Sequence, residues 1–152
     1  MKKGLKFAAI DVGSNAIRLL FTRVIENHNQ AYFIRESLIR MPIRLGEDAF
    51  SKGYISEKKC KRLLKTMLAF SHLISAYNPM KYRAFATSAM RTSSNKKVLI
   101  GDVSKNTGIL LEIISGNEEA DFIFSNHIED KISSNDNYLY IDVGGGSTEL
   151  AI

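Results

Sequence analysis

The chain of 152 residues has one cysteine, three histidines and no long apolar run. The single thiol, Cys60, excludes an internal disulfide, and no cluster of cysteine and histidine supports a zinc site. No segment is long and apolar enough to cross a bilayer, and the first residues, MKKGLKFAAID, lack the apolar core of a signal peptide. The hydrophobic fraction of 45% and charged fraction of 24% are typical of a soluble globular protein, which we expect in the cytoplasm.

Acidic residues are scarce in the first two thirds of the chain. Residues 1–105 contain 20 Lys/Arg against 7 Asp/Glu, whereas residues 106–152 contain one Lys against 9 Asp/Glu. The basic part can attract a polyanion such as nucleic acid, a nucleotide or polyphosphate. A solvated basic helix over residues 58–65 would explain the same charge, and the acidic remainder disfavours a simple nucleic-acid-binding module.

The apolar pattern predicts alternating strands and helices. Ser56 is a suitable N-cap for a helix with apolar residues at helical spacing, which Asn78-Pro79 should end. Gly108 should end a second helix. We predict strands at 5–12, 16–26, 31–41, 81–87, 109–115 and 138–144, a loop at 44–50, a loop and helix at 88–108, a helix at 116–128 and a linker at 132–137. The order β-β-β-α-β-α-β-α is an α/β fold with a mixed sheet.

One motif occurs twice, and its two aspartates are 131 positions apart. A strand ends in Asp11-Val-Gly-Ser-Asn near the start and in Asp142-Val-Gly-Gly-Gly-Ser-Thr-Glu near the end. Glycines let backbone N–H groups approach a phosphate, and the carboxylate can hold Mg²⁺ or position water. We expect Gly13 to adopt a positive φ. Ordinary hairpin turns explain each segment alone, but three consecutive glycines weaken a strand end unless something lies close to the backbone.

Five motifs together resemble the exopolyphosphatase/guanosine pentaphosphate phosphohydrolase (Ppx/GppA) family of the actin/sugar-kinase superfamily. They are AAIDVGSNAIRLLF, RLGE, FATSAMR, EIISGNEEA and IDVGGGSTEL, in the family's order over residues 8–150. The resemblance implies an actin-like (ribonuclease H-like) first domain over residues 1–135. Residues 136–152 would then be the opening strand and glycine turn of a second such domain. Family members carry that domain complete, so we expect a truncated product or an expressed domain.

The resemblance also implies an activity and a site. The family releases terminal phosphate from inorganic polyphosphate, guanosine pentaphosphate (pppGpp) or both, with Mg²⁺. Glu119 would be the general base, with Glu118 as the alternative, and Arg91 would pair with phosphate charge. Asp142 and Glu149 would be catalytic and hold Mg²⁺. The phosphate-binding residues would be Asp11, Gly13, Ser14, Asn15, Gly144, Gly145, Gly146, Ser147 and Thr148.

Structural explanations for the same residues stay open. Both glutamates would complement a helix dipole, and Arg91 would suit a surface ion pair. Thr87 and Ser88 can donate to phosphate or cap the next segment. Arg18 follows the first turn in a strand and is left outside the catalytic set.

Two departures from the family pattern qualify these expectations. Asp48 and Ala49 stand in RLGEDAF where we expect a glycine and an apolar residue, which puts the role of that loop in doubt. The chain also holds only the opening of the second domain, so we expect little activity alone and a homodimer, domain exchange or disorder through residues 138–152. A non-catalytic polyphosphate- or alarmone-binding domain is the alternative function. An actin-like ATPase or sugar kinase fits the two turns but not SGNEEA.

Overall fold

A mixed five-stranded sheet is the centre of the fold. The computed structural model describes residues 4–27, 30–127 and 139–151. Strands β1 (Leu5–Val12), β2 (Ile17–Asn27) and β3 (Gln30–Met41) form an antiparallel meander. Strands β4 (Lys81–Ala86) and β5 (Glu112–Ile113) are parallel to β1, which gives the sheet order β3-β2-β1-β4-β5. The α/β class with a mixed sheet is therefore confirmed.

Five helices and a separate hairpin complete the described part of the chain. The helices are α1 (Leu45–Lys52), α2 (Glu57–Tyr77), α3 (Ser88–Thr92), α4 (Lys96–Thr107) and α5 (Gly116–His127). Strands β6 (Tyr140–Val143) and β7 (Thr148–Ala151) pair with each other in a two-stranded sheet. In the described segments, no helix has the length and apolar character needed to cross a membrane.

The core lies between the sheet and the long helix α2. Its buried side chains recur at helical spacing: Leu63, Met67, Phe70 and Ile74. Each fully buried side chain of this size contributes about 1.5–3 kcal/mol relative to exposure. This packing fixes the parallel pair β1 and β4 so that Val12 and Ala86 lie side by side at their carboxyl ends. The first glycine turn and helix α3 therefore start from neighbouring points of one sheet edge.

Helix α1 replaces the loop predicted at residues 44–50. Its start is held from outside, because the Arg44 N–H donates to the Asn15 carbonyl (3.0 Å) and the Gly46 N–H to the Ser14 carbonyl (2.8 Å). The helix ends at Gly53, which has φ of 75° and donates to the Ala49 carbonyl. Helix α3 is likewise additional to the predicted order, which becomes β-β-β-α-α-β-α-α-β-α before the hairpin.

Strand β5 is much shorter than the predicted strand at 109–115. Only Phe85 and Ala86 of β4 pair with it, so two residues join the ladder. Leu110 is exposed while Ile109 and Leu111 are buried, which is not the fully buried strand expected. The predicted limits of α2 are confirmed, since Ser56 is its N-cap and Asn78 its left-handed C-cap. The predicted linker at 132–137 lies outside the described residues.

Candidate active site

The two glycine turns have the same backbone geometry. The Gly13 N–H donates to the Ala16 carbonyl (3.1 Å), and the Gly144 N–H donates to the Ser147 carbonyl (2.9 Å). A Cβ on either glycine would lie 3.2 Å from that carbonyl oxygen. The expected positive φ at Gly13 was wrong, since it lies outside that region. The close approach of the carbonyl, rather than the backbone angle, is what favours glycine here.

The two turns face each other across one cavity of about 450 Å³. Its wall also includes the carboxyl end of β4, the start of α3 and one face of α5. The lining residues are Asp11, Gly13, Ser14, Asn15, Arg18, Phe85, Thr87, Ser88, Ile114, Glu119, Phe122, Val143, Gly144, Gly145 and Ser147. Most of the residues predicted to bind phosphate therefore meet at one place.

Two of the three consecutive glycines lie where the second turn contacts the first turn and α1. A Cβ on Gly145 would lie 2.5 Å from Nδ2 of Asn15, and one on Gly146 would lie 2.0 Å from Cζ of Phe50. Real Cβ atoms do not come that close to other atoms. A side chain at either position would therefore require the Asn15 amide or the Phe50 ring to move. Gly146 and Thr148, both predicted to bind phosphate, are not among the lining residues.

Hydroxyl groups line the floor of the cavity between the first turn and α3. The hydroxyls of Ser14 and Ser88 lie 2.9 Å apart in a buried hydrogen bond. Thr87 is the N-cap residue of α3, but its side chain makes no capping hydrogen bond. Of the two interpretations of Thr87, capping is therefore not observed, and the residue lines the cavity.

Arg18 is a cavity residue that the sequence interpretation left out. Its Nη1 lies 2.5 Å from Oδ2 of Asp11, its register partner across the first hairpin. A four-residue turn after Asp11-Val12 places Arg18 opposite Asp11, so counting along the turn would have found the pair. The first aspartate is therefore neutralised within its own hairpin.

The second hairpin has a different residue at the position that corresponds to Arg18. Asp142 pairs in register with Glu149, so two acidic positions oppose each other on one face of the hairpin. Opposed carboxylates repel unless a cation lies between them, and carboxylate oxygens are ligands that Mg²⁺ prefers. The structure describes these two residues by their backbone. Among the side chains it does describe, no group of three or more metal-ligating residues forms.

Glu118 and Glu119 have different roles at the start of α5. The Ser115 N–H donates to the Glu118 carboxylate (2.8 Å), and the Glu118 N–H donates to the Ser115 hydroxyl (3.2 Å), which is a capping box. The hydrogen bond from the Ser115 N–H is the main cause that lowers the pKa of Glu118 below its usual value. Glu118 thus stabilises the helix start, whereas Glu119 lines the cavity.

Arg91 lies beside Glu119 and is not among the cavity-lining residues. Its Nη1 donates to the Ile114 carbonyl (2.8 Å) and lies 3.5 Å from Oε2 of Glu119. The exposed fractions of the two side chains are 28% and 19%, so water screens this pair less than a surface pair. Arg91 therefore contacts the predicted general base, and its pairing with phosphate charge stays a prediction.

An aromatic pair forms the apolar wall of the cavity. The ring centroids of Phe85 and Phe122 are 5.2 Å apart, and Phe122 stands three residues after Glu119 on the same face of α5. The two rings and Glu119 line the same cavity. Helical spacing from Glu119 would have been the only sequence signal for Phe122.

Comparisons with known proteins identify relatives of this chain. The profile of the Ppx/GppA phosphatase family matches residues 25–152. The chain is 35% identical over 149 residues to a bifunctional 3-dehydroquinate synthase/phosphatase of Fusobacterium nucleatum, covering 95% of this chain and 22% of that protein. It is 29% identical to exopolyphosphatase 1 of Mycobacterium tuberculosis, covering 97% of this chain and 42% of the relative.

A solved structure shows the same fold. The crystal structure of an exopolyphosphatase from Cytophaga hutchinsonii superposes with a TM-score of 0.81 and 31% identity, covering 95% of this chain and 45% of that one. The actin-like fold expected from the motifs is thereby confirmed. The chain spans less than half the length of each of these relatives.

Proposed function

The chain belongs to the Ppx/GppA phosphatase family, and from this premise we propose that it forms part of a phosphoanhydride hydrolase. The substrate would be inorganic polyphosphate, pppGpp or both, and the product is terminal phosphate. One observation carries the proposal: two matched glycine turns face each other across a cavity that has Glu119 on its wall. Relatives named exopolyphosphatases support this assignment.

The turns would bind the terminal phosphates of the substrate. Backbone N–H groups without a nearby Cβ can approach phosphate oxygens closely, and the hydroxyls of Thr87 and Ser147 supply further donors. Arg18 leaves part of its guanidinium for a phosphate oxygen while one end holds Asp11. Binding at both turns would hold the terminal phosphorus at a fixed distance from Glu119.

Glu119 would act as the general base. A water between its carboxylate and the terminal phosphorus gives up a proton to Glu119 as its oxygen attacks the phosphorus. The bond from this phosphorus to the bridging oxygen breaks, and the shortened chain leaves with both electrons on that oxygen. Arg91 would hold the carboxylate in position through its contact with Oε2.

Asp142 and Glu149 would hold the magnesium ion. Their opposed positions in the second hairpin fit a divalent cation, because the pair has no counterpart of Arg18. Mg²⁺ bound there would neutralise the negative charge that develops on the phosphate during cleavage. We also propose that the 152 residues alone are inactive or weakly active, since the second turn lies in a two-stranded sheet within the part of the chain that the structure describes.

Substitution of Glu119 tests the proposal. Phosphate release from long-chain polyphosphate and from pppGpp is measured with Mg²⁺, on this chain and on a longer form that includes it. We expect Glu119→Gln to lower the rate of phosphate release about 100-fold or more, because glutamine has nearly the size of glutamate but cannot accept the proton. The matched control is Glu118→Gln, which weakens the helix cap but leaves the cavity intact.

The outcomes separate the two candidate functions. Equal release by wild type and Glu119→Gln would show that the base is another residue. Tight binding of polyphosphate or pppGpp with no release by any form would favour the non-catalytic binding domain.

A further inference from the structure

The first half of strand β3 is an exposed edge of the five-stranded sheet. Strand β3 stands last in the strand order, so one of its sides has no neighbouring strand among the residues that the structure describes. Three consecutive apolar side chains lie there, Tyr32, Phe33 and Ile34, which are 51%, 75% and 46% exposed. Natural proteins usually protect such an edge with lysine or proline, and residues 30–34 contain neither. This edge is therefore open to pairing with another strand.

The exposed part of β3 belongs to a two-stranded ribbon that extends beyond β1. In the described residues, β1 pairs with β2 as far as Val24, whereas β2 and β3 stay paired up to Asn27 and Gln30. The ribbon lies at the end of β3 that is remote from the first glycine turn, because Arg40, near the other end of the strand, pairs with Arg18. A partner bound to the ribbon would therefore leave the cavity open.

A β-bulge at Glu36 separates this ribbon from the rest of β3. Strand β3 has one residue more than β2 at this point of their pairing, and that residue is Glu36. Its carboxylate is held by Nε of Arg23 (2.5 Å) and by the hydroxyl of Tyr77 at the end of α2. The regular edge is thus limited to residues 30–35 and is anchored to the core at its inner end.

Two opposite charges on one face of the ribbon are too far apart to meet within the chain. Arg35 and Glu26 are both exposed, and neither forms an ion pair with any side chain that the structure describes. They share a face, since Glu26 pairs with Ala31, which stands four residues before Arg35 on β3. Four residues of a strand span about 13 Å, which is beyond the reach of these two side chains.

We propose that residues 30–35 of β3 pair antiparallel with the same residues of a second copy of this chain, about a two-fold axis at Phe33. An axis perpendicular to the sheet keeps both faces continuous, so each residue lies opposite one on the same face. Phe33 then lies opposite its own copy, and Tyr32 lies opposite Ile34. The two five-stranded sheets become one continuous sheet. Because the paired segment is short, the dimer exchanges with monomer rather than being obligate.

Charge complementarity identifies the partner as a second copy. Ala31 lies opposite Arg35 of the second copy, and its small side chain lets that arginine reach across to Glu26, the neighbour of Ala31 on β2. The symmetry forms this ion pair twice. Registers centred one residue earlier or later lose it, because they place Phe33 opposite Ala31 or opposite Arg35.

Cysteine cross-linking tests the register directly. Every variant carries Cys60→Ser, so that the introduced thiol is the only one in the chain. We expect Phe33→Cys to give a disulfide-linked dimer on mild oxidation, because residues directly opposite each other in adjacent strands have Cβ atoms about 5 Å apart. Leu38→Cys is the matched control, since Leu38 is 48% exposed on the same strand but beyond the bulge, and it should not cross-link. Tyr32→Cys and Ile34→Cys should cross-link when the two variants are mixed and poorly when each is alone.

Charge reversal tests the ion pair and guards against misfolding. Added to the Phe33→Cys chain, Arg35→Glu and Glu26→Arg should each raise the protein concentration for half-maximal cross-linking about tenfold, since two attractions become two repulsions. Both reversals in one chain should restore the original concentration, which a damaged fold cannot do. Arg40→Glu is the control for net charge, because Arg40 is exposed on the same strand beyond the bulge.

Three other outcomes each overturn the inference. If Phe33→Cys and Leu38→Cys cross-link equally, the contact is random collision. If Phe33→Cys gives no cross-link while light scattering finds a dimer, the copies associate through another surface, such as the hairpin of β6 and β7. If the doubly reversed chain stays as weak as the single reversals, Arg35 and Glu26 do not pair between copies.

Discussion

The three consecutive glycines of the second turn each meet a different neighbour. Gly144 lies against the carbonyl of Ser147, as Gly13 lies against that of Ala16 in the first turn. Gly145 lies against the Asn15 side chain and Gly146 against the Phe50 ring. The first contact shapes the turn, and the other two set its distance from the opposite turn. Three consecutive glycines would weaken an isolated strand, but here they allow the two hairpins to lie close together.

Gly146→Ala should open the cavity. The added Cβ would lie 2.0 Å from the Phe50 ring, so either the ring or the turn must move. We expect tripolyphosphate affinity to fall about tenfold, an ordinary cost for overpacking. Phe50→Ala in the same chain should restore it, because the space for the new methyl group is then free. Gly101→Ala is the control, since its Cβ would meet nothing within 4 Å. Unchanged binding by Gly146→Ala would show that the contact does not set the cavity.

Among the helices, α1 is joined to α2 by one buried carboxylate. Asp48 accepts hydrogen bonds from the N–H (3.0 Å) and the hydroxyl of Ser56 and from Lys52 (2.9 Å). The Ser56 hydroxyl is the largest cause that holds the pKa of Asp48 well below its usual range. The residue that departs from the family pattern therefore joins the end of α1 to the start of α2.

Asp48→Asn should lower stability in a pH-dependent way. Because the pKa of Asp48 is depressed in the folded chain, its contribution is complete above the unfolded value near 3.9 and is lost as pH falls further. Urea unfolding at pH 7 should show a loss of about 2 kcal/mol, typical for hydrogen bonds to a charged group. The difference from wild type should shrink below pH 4. Glu57→Gln, on the exposed side of α2, should change little. A pH-independent difference would contradict the role given to the Asp48 charge.

The limits of α2 could be predicted from sequence, but those of α1 and β5 could not. Helix α2 has its own N-cap, a helical apolar pattern and a left-handed Asn78, all of which are local signals. Helix α1 starts at Arg44 without a capping side chain and depends on hydrogen bonds from a turn about 30 residues earlier. Strand β5 is short because only the last two residues of β4 pair with it, and an apolar run does not reveal how far two strands stay paired.

Some residues of the candidate site could likewise be predicted from the sequence, and others could not. The two glycine turns were visible because their pattern repeats along the chain. The choice between Glu118 and Glu119 stayed open, although Ser115-Gly-Asn-Glu118 has the sequence pattern of a capping box and would have assigned Glu118 to the helix start. The pairing of Arg18 with Asp11 depends on the hairpin register, which follows from the length of the turn rather than from the residue types.

In the whole molecule, the second hairpin is largely uncovered at the residues whose exposure the structure describes. Its sheet has two strands, and Leu139, Ile141, Val143 and Leu150 are all more than half exposed. An isolated hairpin is marginally stable, and its unpaired edges can pair with another chain. We therefore propose self-association of this chain through the hairpin, as the sequence suggested for residues 138–152.

Leu150→Lys should reduce that association. Leu150 is 64% exposed on the edge of the hairpin, and a charge there opposes pairing with a second copy. Light scattering across a concentration series should show a dimer for wild type and a smaller dimer fraction for the variant. Leu110→Lys is the matched control, because Leu110 is 72% exposed beside β5 and outside the hairpin. A wild-type chain that stays monomeric at all concentrations would contradict the proposal.

Helix α1 has only eight residues, yet it contacts the first turn through Gly46, α2 through Glu47 and Asp48, and the second turn through Phe50. Insertion of one residue into α1 would rotate every later position by about 100°. All of the contacts beyond the insertion would be lost together, whatever residue was added. Substitutions in this helix can be repaired one at a time, but its length cannot change without a rearrangement of both turns. Among homologous chains, gaps should therefore be rarer in α1 than its position near the surface would suggest.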